Sequence, residues 1–139
     1  MVHRPLQVAL VVALFVGGAC ASNSNENDAA KAVCKTRADT QIAINTTTAV
    51  GVEQYPKIIR GLEAAIKVAP SDIKPDFVRV HAVLKPFVEA LVKANGDQSA
   101  AAQDPDFQKL VNDVGTKAAN RSAARIRAYY DDHCGKKPA

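Results

Sequence analysis

Tryptophan is absent from this 139-residue sequence, and aromatic residues make up only 5% of it. So few aromatic side chains argue against a protein that stacks nucleic-acid bases. Seven Gly and seven Pro are too few for a fibrous or low-complexity chain. The charged fraction of 23% is too high for a bundle of membrane helices, and the hydrophobic fraction of 47% is too high for a disordered chain. These exclusions leave one globular domain with room for a targeting segment.

Charges of both signs nearly balance in the sequence. There are 18 Lys and Arg against 14 Asp and Glu, a net charge of +4. An excess this small does not indicate nucleic-acid binding, so we expect no nucleic-acid partner. It is compatible with a nonspecific attraction to an anionic envelope surface.

The amino terminus has the pattern of an export signal. His3 and Arg4 provide a positive start, and residues 8–16 (VALVVALFV) are uninterrupted apolar residues. Small residues follow at positions 17–21 (GGACA), and the apolar stretch is shorter than the roughly 20 residues that span a bilayer. This combination predicts a secretory signal peptide and therefore an exported protein.

Two ways of cleaving this signal remain open. Residues 19–21 (ACA) fit cleavage after a small-x-small motif, which gives a signal peptide of residues 1–21 and a secreted protein. The segment VGGAC also resembles a bacterial lipobox, although Gly17 stands where an aliphatic residue is usual. That resemblance implies a signal of residues 1–19 and a lipidated Cys20 that anchors the protein to the outer face of the cytoplasmic membrane. In either case, the polar residues 22–28 are predicted to form a tether.

The cysteine count is odd until the signal peptide is considered. Cys20 is either removed or lipidated, which leaves Cys34 and Cys134 as a pair. Because an exported protein enters an oxidising compartment, we expect a disulfide between them rather than two buried free thiols.

Four segments carry apolar residues three and four positions apart, which is typical of amphipathic helices. They are residues 28–48, 54–69, 71–94 and 104–133. The clearest start is Asp104–Pro105, because Asp caps a helix and Pro fits its first turn, and the clearest stop is Asn95–Gly96. The short connections predict an all-α, up-down-up-down four-helix bundle over residues 29–135, closed by the disulfide and followed by a tail at 136–139.

Several positions within these helices have specific predicted roles. Ser71 is the expected N-cap of the third helix, and Pro86 is expected to kink that helix. Ala38 in the first helix and Ala118 in the fourth are expected to face the core. Gly115 weakens the continuity of the fourth helix.

Few residues suggest chemistry. Tyr129 and His133 lie four positions apart near the end of the fourth helix, so they share a face and are the only pair we consider as haem ligands. A packed Tyr129 beside a partly cationic His133 is the simpler interpretation. His81 is expected to be a satisfied histidine near the core. The sequence contains no recognisable catalytic motif, metal-ligand spacing or phosphate-binding glycine loop, and we predict no catalytic residue, metal or cofactor.

As a whole, the chain resembles the small exported helical proteins of actinobacteria, a group of lipoproteins and secreted proteins of unknown function. The resemblance lies in the signal peptide, the Ala-rich helical body, Ala69–Pro70 between two helices and one Cys near each end. It implies a compartment and a fold, and it transfers no catalytic residue. Secreted chorismate mutases share the signal and the disulfide, but their Asp-x-x-Arg-Glu signature is missing here, and Arg121 and Arg125 are predicted to face solvent.

The sequence therefore favours an exported, non-enzymatic helical bundle that binds an unidentified ligand or partner in the cell envelope or outside it. A carrier of haem or lipid is the first alternative. A helical enzyme such as a chorismate mutase is the second.

Overall fold

The computed structural model describes residues 23–44 and 51–135. The predicted signal peptide, Cys20 and the tail at 136–139 lie outside the described residues. Within them there is no β-strand, which confirms the all-α class. The described helices are α1 (Asn23–Lys35), α2 (Arg37–Ile44), α3 (Tyr55–Val68), α4 (Lys74–Lys93), α5 (Gln98–Ala101), α6 (Pro105–Val114) and α7 (Lys117–His133), with a 3₁₀ turn at Val52–Gln54.

The first predicted helix is divided at Thr36. The Thr36 hydroxyl donates to the carbonyl oxygen of Val33 at 2.7 Å, and this local bond competes with regular helix geometry. Helix α1 also begins at Asn23, so most of the predicted tether is helical. Residues 23–28 contain no Gly, Pro or β-branched residue that would oppose a helix. Of the predicted inward face, Ala38 is exposed and Thr40 is buried instead.

The fourth predicted helix is divided at Gly115 and Thr116. Thr116 acts as the N-cap of α7, and its hydroxyl accepts a hydrogen bond from the backbone N–H of Ala119 at 3.2 Å. The interruption changes which residue faces inward in the first turn of α7, while Ser122, Ile126 and Tyr129 farther along are buried as the spacing predicts. Ala119 is therefore buried where Ala118 was expected, and Ala118 is exposed.

The predicted helix ends are confirmed in two places and wrong in one. Asp104 caps α6 by accepting a hydrogen bond from Asp106 N–H at 3.0 Å. Asn95 and Gly96 have φ angles of 52° and 80° and end α4, as expected for a left-handed C-terminal stop. Ser71 does not cap α4, because the N-cap residue is Ile73 and no side chain fills that role.

Helix α4 lies at the centre of the fold and runs through Pro86 without a break. It packs against α3, α6 and α7, while α3 also contacts α1 and α2. The predicted inward faces of the second and third segments are confirmed, since Leu62 and Phe77 are fully buried. A smaller apolar cluster lies at the carboxyl end of α4. It contains Phe107, whose ring stacks on Phe87 with a centroid distance of 5.4 Å.

Helices α2 and α3 approach each other closely at Gly61. A Cβ atom added to Gly61 would lie 2.6 Å from the Cβ atom of Asp39. Such a distance is too short for two carbon atoms, so this crossing requires glycine. The contact holds the two helices against each other, and the next residue of α3, Leu62, belongs to the larger apolar cluster together with Phe77.

Candidate functional site

Cys34 and Cys134 come together as the cysteine count predicts. Their Sγ atoms lie 1.91 Å apart and their Cα atoms 5.4 Å apart. Cys34 is in the last turn of α1, and Cys134 is the C-cap residue of α7. The pair therefore joins the first described helix to the last.

A buried hydroxyl cluster lies close to this disulfide. The hydroxyl of Tyr130, a residue with 0% exposure, hydrogen-bonds to that of Thr40 and lies 3.3 Å from the Thr36 hydroxyl. Burial raises the pKa of Tyr130, whereas the two threonine hydrogen bonds and the positive charge of Arg37 act in the opposite direction. Burial therefore favours the neutral phenol, and the hydrogen bond between Thr40 and Tyr130 joins α2 to α7.

Arg37 covers the hydroxyl cluster. One guanidinium nitrogen donates to Asp131 Oδ1 at 2.9 Å, and another donates to the Gly135 carbonyl oxygen at 2.6 Å. The guanidinium lies 5.8 Å from the centroid of the Tyr130 ring, within the range of a cation–π contact. Arg37 and Thr40 were not singled out from the sequence. The available signal was Thr40 itself, a polar residue at a position that helical spacing from Val33 turns inward.

A second polar cluster joins α4 to α7. Asp76 is only 5% exposed, and its carboxylate lies 2.9 Å from Nε of Arg125. Arg79 donates a hydrogen bond of 3.2 Å to the buried Ser122 hydroxyl. The Arg125 side chain is 63% exposed, which agrees with the predicted solvated face, but its ion pair with Asp76 was not foreseen. Both contacts tie neighbouring helices together.

Tyr129 and His133, the pair considered as haem ligands, do share a face. Their rings pack against each other with a centroid distance of 4.3 Å and an interplanar angle of 32°. Tyr129 is buried, and this burial, followed by the nearby Asp72 carboxylate, raises its pKa. This geometry matches the simpler prediction of a packed tyrosine beside His133.

His81 has an acidic neighbour. Its Nε2 atom lies 3.3 Å from Glu63 Oε1, and the Lys85 ammonium lies 3.7 Å from the same oxygen. The histidine was predicted to be satisfied, and this contact provides a partner for it. Glu63 and Lys85 are both partly exposed, so the three residues form a surface network between α3 and α4.

The described part of the chain offers neither a metal site nor a membrane-spanning helix. Residues 23–44 and 51–135 contain no group of three or more His, Cys, Asp or Glu side chains arranged to hold a metal ion. None of the helices in these ranges combines the length and the apolar character needed to cross a membrane.

Open grooves lie on the surface of the described residues, and two of them are considered for binding. One follows the start of α4 and has a mostly apolar lining that includes Pro75 and Val78. The other has a volume of about 400 Å³ and lies between α3 and the junction of α1 with α2. We call the second one the basic groove, defined by Lys35, Asp39, Lys57, Arg60 and Gly61.

The basic groove gathers positive charges that are not neutralised. Lys35, Lys57 and Arg60 are exposed, and none of them has an ion pair or hydrogen bond among the described residues. Some lysines elsewhere have acidic partners, such as Lys109, whose ammonium lies 2.7 Å from Asp113, while others, such as Lys67 and Lys93, are exposed without one among the described residues. The groove differs in that three such cations lie in one lining. Asp39 is the one carboxylate among the described lining residues, which leaves an excess of two positive charges there.

Comparison with known proteins adds no identity. No protein-family model matches the sequence, and no similar protein is found among curated proteins or solved structures. The resemblance to small exported actinobacterial proteins stays a prediction. The function of the protein is therefore inferred from the arrangement of its own side chains.

Proposed function

We propose that the chain is an exported, non-enzymatic helical protein that binds its ligand or partner at the surface. On this proposal, the interior of the fold serves stability, and recognition belongs to exposed side chains. The proposal has two parts, export and surface binding, and each part has its own support and its own test.

The pairing of buried polar groups carries the surface-binding part. Tyr130 bonds to threonine hydroxyls, Asp76 pairs with Arg125, and Ser122 accepts from Arg79. Catalytic groups must present reactive atoms to a substrate in an accessible cleft. Each of these buried groups instead already has a partner within the chain, and apolar side chains pack around them.

The interior also offers support against a carrier of haem or lipid. The side chains that are completely shielded from solvent include Phe77, Leu62 and Ile126, all within one packed cluster. A carrier needs a cavity that encloses most of its ligand. The two grooves described above are open to solvent, so they fit contact with a ligand at the surface better than enclosure of one.

Export is supported by the cysteine pair and by the amino-terminal sequence. A disulfide between Cys34 and Cys134 would persist in an oxidising compartment, which agrees with the predicted signal peptide. In the same proposal, the helices keep a four-part bundle plan: α1 with α2, then α3, then α4, then α6 with α7. The packing of α4 against both α3 and α7 supports this plan.

The intact mass of the exported protein tests the export part. A polypeptide that starts at Ser22 indicates secretion, and one that starts at a lipid-modified Cys20 indicates anchoring to the membrane. Either result supports export. Recovery of the full chain, with Met1 retained, from the cytoplasm would contradict it.

Native mass spectrometry and a visible spectrum test the surface-binding part. The protein purified from the exporting cells is expected to be colourless and, apart from any lipid covalently attached to Cys20, to have the mass of the polypeptide with one disulfide. A stoichiometric noncovalent lipid that remains bound at high salt, or the absorption bands of haem, would contradict the proposal and support a carrier.

A further inference from the structure

We propose that the basic groove binds a ligand bearing two or more closely spaced phosphate groups. This inference deepens the proposed function and rests on it, because it assigns a ligand class to part of the surface. The charges of the groove, the chemistry of its side chains and the rigidity of its walls all favour such a ligand.

The charges of the groove favour an anion. Lys35 comes from the end of α1, while Lys57 and Arg60 come from neighbouring turns of α3, so two walls contribute positive charge. Like charges held in a concave surface repel one another and raise the local positive potential. An anion of at least two charges would neutralise the excess that Asp39 leaves uncompensated.

The side-chain chemistry favours phosphate. Arg60 presents a planar guanidinium, which matches two oxygen atoms of a phosphate, while Lys35 and Lys57 supply ammonium groups that act as point charges. Because the cations stand on opposite walls, a ligand with two phosphate groups can contact both walls at once. A single carboxylate carries one negative charge, which is less than the excess of two positive charges in the described lining.

The walls of the groove are held by core contacts. Gly61 and Asp39 meet at the close crossing of α2 and α3, which fixes the floor. Thr36 follows Lys35 directly and lies within 3.3 Å of the buried Tyr130 hydroxyl. A preformed site loses less entropy on binding than a flexible one, so even exposed cations there can contribute to affinity.

The size of the groove and its lining argue against nucleic acid. A volume of about 400 Å³ suits a small molecule or a lipid headgroup. Among the described residues that line the groove, none has an aromatic side chain that could stack a base. Two sources of the phosphate chemistry therefore remain, a soluble diphosphate and a phospholipid headgroup, and the experiment separates them.

Titration calorimetry with inorganic pyrophosphate at low salt tests the groove in the full exported chain. We expect binding with a Kd below about 1 mM. The double variant K57Q/R60Q should bind about tenfold more weakly. The matched control K67Q/K93Q removes the same charge from exposed positions outside the groove, one of them on the same helix, and should bind like the wild type.

Asp39 gives a second variant with an effect of the opposite sign. Asp39→Asn preserves the shape of the side chain and removes the one negative charge of the groove lining. Pyrophosphate should then bind about threefold to tenfold more tightly, because a repulsion is lost. Thermal melts of all variants establish that each is folded.

Vesicles distinguish the two sources of phosphate. Binding to vesicles that contain cardiolipin, whose headgroup carries two phosphate groups, assigns the groove to a lipid headgroup if it is lost in K57Q/R60Q, kept in K67Q/K93Q and displaced by pyrophosphate. Pyrophosphate binding without vesicle binding assigns it to a soluble ligand.

Two results would overturn the inference. One is equal weakening of pyrophosphate binding in both double variants, which would mean that only net charge matters. The other is the absence of binding to either probe up to about 10 mM phosphate. Neither result bears on the proposed function, which fails instead if purification yields haem or a noncovalent lipid that remains bound at high salt, where binding through exposed cations is screened.

Discussion

Thr40 and Tyr130, 90 positions apart in the sequence, share a hydrogen bond between two hydroxyl groups that are both completely shielded from solvent. Thr40 belongs to α2 and Tyr130 to α7, so this bond fastens the same two ends of the chain that Cys34 and Cys134 join. Helices α1 and α2 are therefore attached to α7 by the disulfide, by the hydroxyl cluster around Tyr130 and by the ion pair of Arg37 with Asp131. The first two predictions concern the hydroxyl cluster.

Tyr130→Phe should lower the free energy of unfolding by about 1–2 kcal/mol at neutral pH, because hydrogen bonds in the interior are lost while the ring is kept. Tyr129→Phe is the matched control. Tyr129 is also buried, but its hydroxyl has no hydrogen bond among the described residues, so the expected change is within about 0.5 kcal/mol. Urea denaturation measures both values. Equal losses in the two variants would mean that the hydroxyl cluster contributes nothing specific.

The raised pKa of Tyr130 predicts a loss of stability in alkali. Burial raises this pKa above the ordinary value of 10.0 that the unfolded chain would show. The folded protein therefore retains the phenol proton more strongly than the unfolded protein does. The resulting stability is fully present below about pH 10 and is lost as the pH rises through the folded pKa.

Urea denaturation between about pH 8 and pH 11 checks this sign. The wild-type free energy of unfolding should fall above about pH 10, and the fall should be shallower in Tyr130→Phe. Tyr129 contributes in the same direction, because its pKa is also raised, so part of the slope remains in that variant. A steeper fall in Tyr130→Phe than in the wild type would contradict the assignment.

Helical periodicity predicts the central part of the fold well. Leu62 and Phe77 are buried because apolar residues recur at spacings of three and four along α3 and α4. Asp104 caps α6 because an Asp followed by Pro satisfies a helix start through local chemistry alone. Such features depend on neighbours in the sequence, so the sequence by itself is sufficient.

The features that were wrong or missed depend on distant partners. Thr36 interrupts the first helix through a local bond to Val33. The same geometry brings the Thr36 hydroxyl close to that of Tyr130, a residue 94 positions away that the local sequence does not indicate. The interruption at Gly115 buries Ala119 in place of Ala118 in the first turn of α7, a local change that periodicity across the break cannot register, although Ser122 and Ile126 are buried as predicted. The basic groove was missed for the same reason: Lys35 and Arg60 become neighbours only when α1 and α3 pack together.

Loss of the disulfide should destabilise the protein. The sequence separation of Cys34 and Cys134 is 100, and a crosslink of this span restricts the unfolded chain. The double variant C34A/C134A should lose about 2–5 kcal/mol of unfolding free energy relative to the oxidised wild type. Thermal melts of the wild type with and without reductant give a second measurement. An unchanged melting temperature after complete reduction would contradict a stabilising crosslink.

Gly61→Ala should destabilise the crossing of α2 and α3. The added methyl group would lie 2.6 Å from Asp39 Cβ, so the helices must separate, at a cost of about 1–3 kcal/mol. Gly115→Ala is the matched control. A methyl group there meets only backbone oxygens at 3.5 Å or more, and the φ angle of −77° suits alanine. Its effect should be neutral or stabilising by up to about 1 kcal/mol. Similar losses in both variants would show that the close crossing is not the cause.

The ion pair between Asp76 and Arg125 should give a coupling free energy in a double-mutant cycle. Arg125→Met keeps the length of the side chain but leaves the buried Asp76 carboxylate without its ion pair, at an expected cost of about 1–2 kcal/mol. The cost is less than for a fully buried pair, because the Arg125 side chain is 63% exposed and water screens the interaction.

In an Asp76→Asn background, Arg125→Met should cost clearly less, since no buried charge then loses its partner. Arg121→Met, at an exposed position with no partner among the described residues, controls for the loss of a surface cation. Additive effects of Asp76→Asn and Arg125→Met in urea denaturation would mean that the two groups do not interact, and the 2.9 Å contact would then contribute nothing to the attachment of α7 to α4.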